Sequence, residues 1–174
     1  MRRAGILAVT TASLLILGVA LPGGDALAQQ KSLTEQLIGT WTLVSVHNVR
    51  NDGSRLDASG PNPKGIVIYT SDGHFAFVNT RADLPKFASN TRDQGTPEEY
   101  KAVVEGSMAY FGTYSVNEAD KVINVQIVGS TFANLVGRAD QKRIITSLTA
   151  DELTFRNSAT PSGATLELAW KRAK

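Results

Sequence analysis

GTWTLVSV, residues 39–46, is the stretch of this sequence that decides its fold. Residues in a strand alternate between its two faces, so period two places Trp41, Leu43, Ser45, His47 and Val49 on one side. We take that side as the lumen side. The stretch therefore predicts the first strand of a closed antiparallel barrel, and a barrel of about eight strands has room for one small ligand.

The rest of the chain is typical of short strands joined by turns. The turn at residues 71–73, Ser-Asp-Gly, joins strands 66–70 and 74–79 as a hairpin. Five further strands are predicted at residues 109–116, 122–128, 141–148, 153–156 and 166–170. In a closed meander the last strand lies antiparallel to the first, so Trp170 and Arg172 should lie near Trp41 at one end.

One helix interrupts this series. Thr96 is a predicted N-cap, Pro97 suits the first turn, and Glu99 completes a capping box. The residues that follow repeat at helical spacing and form one apolar stripe. The predicted fold is therefore all-β: an eight-stranded antiparallel up-and-down barrel with one inserted helix.

Both faces of the hairpin at residues 66–79 are apolar. Val67, Tyr69, Phe75 and Phe77 share one face, and the other face also carries isoleucine, alanine and valine. We expect both faces to be covered, and the pattern leaves open which of them faces the lumen. One alternative function follows, in which an apolar barrel face docks a partner protein.

Residues 1–28 have the layout of a secretory signal peptide. A basic start at Arg2 and Arg3 precedes an apolar run, and Ala26-Leu27-Ala28 follows at cleavage distance. The alternative is an uncleaved membrane anchor, although threonine, serine and glycine dilute the run. We expect cleavage after Ala28, a barrel domain at residues 29–174, no membrane anchor afterwards, and a periplasmic or secreted protein.

The composition excludes several functional classes. Without Arg2, Arg3 and Asp25, the chain's 18 basic and 16 acidic residues fall to 16 and 15, which gives no electrostatic case for nucleic acid. The absence of cysteine excludes disulfides, thiol nucleophiles and thiolate metal sites. A site of two imidazoles would need both histidines, and His47 is predicted in the lumen whereas His74 is predicted near a hairpin tip, so we predict no metal site and no cofactor.

The candidate ligand-binding residues are chosen for the groups that they would offer to a ligand in the lumen. Tyrosine offers an apolar body with a polar tip, His47 would orient a ligand, and an arginine near the mouth would anchor a carboxylate. Arg138 and Arg143 both flank the predicted mouth, and we select Arg143. The full set is His47, Tyr69, Phe75, Phe77, Tyr110, Tyr114, Gln126 and Arg143.

Each of these residue types also has a purely structural interpretation. Histidines often have only structural hydrogen bonds, tyrosines pack in cores, and arginines are commonly solvated. The serines lack a nucleophile-elbow context and Glu98-Glu99 is explained by helix capping, so we predict no catalytic residue. An isomerase or cyclase remains an alternative, in which His47 and a tyrosine act as acid and base in the lumen.

From residue 37 to residue 172 the sequence resembles the lipocalin-like domain family of small bacterial and fungal barrels, related in architecture to the calycins. The segments that carry the resemblance include Gly39-Thr40-Trp41, Asp72-Gly73, GTPEEY at residues 95–100, Ala109-Tyr110 with Gly112, and Leu168 with Trp170 and Arg172. The family often has His-Val-Glu and Pro-Asn-Trp where this chain has Asn124-Val125-Gln126 and Ala133-Asn134-Leu135. The resemblance implies the barrel and a lumen for a small apolar or amphipathic ligand, but no particular activity.

Overall fold

The computed structural model describes residues 31–158, 160 and 162–174, and the predicted signal peptide lies outside them. The described chain forms two α-helices, nine strands and one 3-10 turn at Ala133–Leu135. In chain order the elements are α1 (Leu33–Leu37), β1 (Gly39–Val49), β2 (Arg55–Asp57), β3 (Lys64–Tyr69), β4 (His74–Thr80), α2 (Pro97–Gly106), β5 (Ser107–Asn117), β6 (Val122–Ser130), β7 (Lys142–Leu148), β8 (Glu152–Asn157) and β9 (Thr165–Arg172).

Eight of these strands close into an antiparallel barrel. From β3 to β9 each strand pairs with the next, and β1 pairs with both β3 and β9. This confirms the predicted eight-stranded up-and-down barrel. The ninth strand, β2, is a three-residue addition paired with the end of β1. The hydrophobic pattern did not predict this strand because all three of its residues are exposed.

The inserted helix begins as predicted. The Thr96 side chain accepts a hydrogen bond from the Glu99 N–H, and the Glu99 carboxylate accepts one from the Thr96 N–H. The preceding loop is attached to this helix, since Ala88 N–H donates to Glu99 and Gly95 N–H donates to the Tyr100 hydroxyl. Neither helix in the described part of the chain has the length and apolar character needed to cross a membrane.

The end of the barrel where β1 begins, here called the lower end, is sealed around Trp41. The Trp41 indole is 0% exposed and its N–H donates to the Leu37 carbonyl at 2.8 Å. The Arg172 guanidinium lies 4.0 Å from the centre of the indole, and Arg172 is paired with Trp41 across β9 and β1. The predicted meeting of Trp41 and Arg172 is therefore confirmed.

Arg172 and Glu118 also hold α1 against this end. Arg172 donates to the carbonyl oxygens of Ile38 at 3.0 Å and Gln36 at 2.6 Å, which lie at the end of the helix. The Glu118 carboxylate accepts hydrogen bonds from the N–H groups of Leu33 and Thr34 at the start of the helix. A negative charge at the start of α1 and a positive charge at its end thus stabilise a helix that would be too short to form alone.

The hairpin of β3 and β4 turns its aromatic face inward. Tyr69 stacks with Phe75 at 6.2 Å between ring centres, and Phe77 stacks with Tyr110 of β5 at 4.4 Å. These rings lie on the lumen side, which settles the orientation of the hairpin.

The outer face of this part of the sheet is apolar and exposed. Ile66 and Val78 are paired on β3 and β4, and Phe111 and Val128 on the next two strands are 56% and 55% exposed. The expectation that both faces of the hairpin are covered is therefore wrong for the described residues. This outer face is the surface that the protein-docking alternative would use.

A β-bulge in β1 overturns the predicted facing of its second half. Leu43 pairs with Trp170 and Ser45 pairs with Ala169, so Val44 is an extra residue opposite β9. One extra residue reverses which side chains point inward beyond it. Val46 is buried inside the barrel, and the prediction that His47 faces the lumen is wrong.

His47 lies instead on the outer face, opposite Glu167 of β9 and Asp57 of β2. Glu167 binds the guanidinium groups of Arg55 at 2.8 Å and Arg156 at 3.0 Å. Burial raises the pKa of the Glu167 carboxyl, but the hydrogen bonds from the two arginines outweigh it and leave the pKa below its ordinary value. His47 thus lies beside a network of charged side chains on the outside of the barrel.

Replacing Trp41 with alanine should lower the free energy of unfolding by about 3 to 5 kcal/mol, because the buried indole leaves a cavity. Arg172→Ala should cost less, since the stacked cation contributes about 0.5 to 2 kcal/mol and its hydrogen bonds go to half-exposed carbonyls. Denaturant unfolding of both single variants and the double variant measures their coupling. Effects that add to within about 0.5 kcal/mol would show that the two side chains do not interact. Arg172→Lys, which keeps the charge but loses the planar fork of donors, is the matched control.

Candidate functional site

The upper half of the barrel contains a cavity. The space inside it that is open to the centre of a water molecule is about 120 Å³. Its lining comes from six of the barrel strands and from the segments after β6 and β8. The lining residues are Val46, Phe77, Asn79, Met108, Tyr110, Leu135, Gln141, Arg143, Phe155, Asn157, Thr160, Leu166 and Leu168.

Most of the cavity wall is apolar because the inner faces of the strands carry aliphatic and aromatic residues. Phe77 and Phe155 form its lower part, and both rings contact the buried indole of Trp170, at 5.7 Å and 6.1 Å between ring centres. Trp170 is therefore the layer beneath the cavity. Below it the described interior is packed with buried side chains, among them Trp41, Ile123 and Leu153, and the cavity therefore lies in the upper half.

Arg143 brings a positive charge into this cavity. It lies on the inner face of β7 between the buried residues Gln141 and Ile145, and only 3% of it is exposed. Its guanidinium donates to the Lys142 carbonyl at 3.1 Å, and to the Tyr110 hydroxyl and the Gln141 side-chain oxygen at 3.4 Å each. None of these acceptors is charged, and no ion pair joins Arg143 to another described residue.

Arg138, the other arginine considered from the sequence, has a different environment. It lies outside the cavity and forms two hydrogen bonds to the Asp140 carboxylate, at 3.0 Å and 2.5 Å. The hydrogen bond from the Arg138 guanidinium lowers the pKa of Asp140 to about 2. The charge of Arg138 is thus neutralised within the protein, whereas that of Arg143 has no such partner among the described residues.

Asn79 adds a second polar group to the cavity. It follows Phe77 on the inner face of β4, and its buried Oδ1 has no hydrogen-bond partner among the described residues. Rotating the amide by half a turn would present its two N–H donors instead.

The sequence did not predict Asn79 as a cavity residue, although the alternation of Phe75 and Phe77 continues to it. Also missed were Val46, Met108, Leu135, Gln141, Phe155, Asn157, Thr160, Leu166 and Leu168.

Of the eight predicted ligand-binding residues, Phe77, Tyr110 and Arg143 line the cavity. Their role in binding remains a prediction. Tyr69 and Phe75 also point inward, but they pack in the filled interior and do not line the cavity. Burial raises the pKa of the Tyr69 hydroxyl, as expected of a core residue.

The remaining three predicted residues lie away from the cavity. Tyr114 packs edge-on against Tyr69 and its hydroxyl donates to the Thr70 carbonyl at 2.9 Å, near the lower end. Gln126 is exposed between the buried residues Val125 and Ile127, so its predicted lumen position is wrong. His47 is displaced to the outer face by the bulge in β1.

These positions remove the histidine of the isomerase or cyclase alternative from the lumen, while Tyr110 stays in the cavity wall. The chain has two histidines; His47 is on the outside and His74 is exposed at the first residue of β4. The described residues also contain no group of three His, Cys, Asp or Glu side chains arranged to hold a metal ion. The polar groups among the described lining residues are Arg143, the Tyr110 and Thr160 hydroxyls and the side-chain amides, which supply hydrogen bonds and one positive charge.

Among known proteins, one family model and several solved structures match this chain. No curated protein matches the chain. Among solved structures, a redesigned β-barrel is 15% identical with a TM-score of 0.41, over 83% of this chain and 100% of the other. A DUF4847 family protein from Bacteroides vulgatus is 13% identical with a TM-score of 0.38, over 79% of this chain and 94% of the other. The model of the lipocalin-like domain family matches residues 38–173, which span the whole barrel, and the chain therefore belongs to that family.

Proposed function

We propose that this chain is an exported protein that binds a small apolar or amphipathic molecule in the lumen of its barrel. The observation that carries the proposal is the division of the interior, with a filled lower half and a cavity in the upper half. A filled barrel needs no such cavity for its stability, because an unfilled apolar space loses packing contacts. Apolar walls with a few placed polar groups are the common composition of ligand sites.

The size of the cavity supports a compact ligand. A dry cavity of about 150 Å³ in another protein accommodates benzene. The cavity described here, at about 120 Å³, is close to that size. A molecule with about one ring therefore fits, whereas a long acyl chain would have to extend through the mouth.

Benzyl alcohol, a neutral probe with one ring, should bind in the lumen and raise the melting temperature of the protein. A ligand that binds only the folded state stabilises it by about 2.7 kcal/mol at one hundred times its dissociation constant. Leu166→Trp, which adds an indole to the cavity wall, should abolish the shift in melting temperature. Val128→Trp is the matched control because Val128 lies on the outer face and is exposed. An equal shift in both variants would place the binding outside the lumen and refute the proposal.

Export is supported by the sequence of residues 1–28, with its basic start, apolar run and Ala26-Leu27-Ala28. Expression of the full chain in a bacterial host should give a protein in the periplasmic or secreted fraction that begins at Gln29. N-terminal sequencing measures this directly. Recovery of membrane-bound protein that still begins at Met1 would contradict export.

A further inference from the structure

The cavity holds a charge that the described protein does not neutralise. An arginine side chain remains protonated in proteins, so burial cannot remove the charge of Arg143. A buried charge without an opposite charge is costly, and folded proteins normally pair it. Arg143 nevertheless has only neutral acceptors, two of them at the long distance of 3.4 Å.

We propose that the lumen ligand is a compact carboxylic acid, of about one ring, whose carboxylate binds Arg143. This inference rests on the proposed function and adds the chemical class of the ligand. Two neutral groups of the lining can donate hydrogen bonds to the carboxylate. They are the Tyr110 hydroxyl, which contacts the same guanidinium, and the Asn79 side-chain N–H groups, which a half-turn rotation places where the unpartnered Oδ1 lies. The ring would then lie against Phe77, Phe155 and the other apolar walls.

The charge and size of the cavity favour a carboxylate over other anions. Arg143 is the only charged residue among the described residues that line it. One guanidinium balances the single charge of a carboxylate, and its planar fork matches the two carboxylate oxygens. A phosphate ester would bring nearly two negative charges into a space with one positive charge and mostly apolar walls.

A structural role for Arg143 predicts different behaviour. If the arginine served only to hold β7 and β5 together, Arg143→Met would lower the melting temperature of the ligand-free protein. If it serves a ligand, the methionine variant should melt at the same or a higher temperature, because it removes an unbalanced buried charge and keeps a side chain of similar length. The melting temperature without ligand therefore separates the two roles.

The main test compares benzoate with its neutral analogue benzamide by titration calorimetry. Wild-type protein should bind benzoate at least about tenfold more tightly, as expected for a charge-assisted hydrogen-bonded pair. Arg143→Met should reduce this preference to about unity while benzamide still binds, and Arg143→Lys should keep part of it. Arg138→Met is the matched control, since Arg138 pairs with Asp140 outside the cavity, and it should keep the full preference.

Equal affinity of the wild-type protein for benzoate and benzamide would overturn the inference, and this comparison needs no variant to fold. A preference for benzoate that survives in Arg143→Met, or that is lost in Arg138→Met, would also overturn it. If benzamide and benzyl alcohol bind and Leu166→Trp blocks them, the proposed function stands without a carboxylate. If none of the three probes binds, the proposed function fails as well.

Discussion

The stacking of Arg172 on Trp41 is the contact on which the rest of this structure depends. It joins the first and last strands at the point where the barrel closes, and the same guanidinium fastens the end of α1. The lower end is thereby sealed by a fully buried indole. Because that end is closed and packed, the space left inside the barrel is confined to the upper half, where Arg143 lies.

Much of the architecture could be predicted from local pattern. Alternation identified the barrel strands, the capping box at Thr96 identified α2, and antiparallel closure brought Arg172 to Trp41. The bulge at Val44 could not be predicted this way, since one extra residue leaves the sequence pattern intact while reversing the facing of everything after it. The displacement of His47 follows from that single residue, and with it the enzyme alternative lost its histidine.

The cavity residues could be predicted where the alternation along a strand alone decides which side chains point inward. Phe77 and Tyr110 follow from alternation, and Asn79 would have followed had the same alternation been extended by two residues. Gln126 was placed in the lumen against its own pattern, because Ile123, Val125 and Ile127 already occupy the inner face of β6. Arg143 was expected at the mouth, but its burial among neutral acceptors depends on the packing of β7 against β5, which no local pattern contains.

A ligand in the upper half of the lumen can be detected directly at Met108. Met108 lines the cavity and is one of two methionines in the chain, so labelling methionine methyl groups with carbon-13 gives a signal that Met108→Leu assigns. In a nuclear magnetic resonance titration with benzoate, the Met108 methyl signal should shift and saturate. The indole N–H signal of Trp41, which is hydrogen-bonded to the Leu37 carbonyl at the lower end, should not shift. A saturating shift at Trp41 with no change at Met108 would contradict the account.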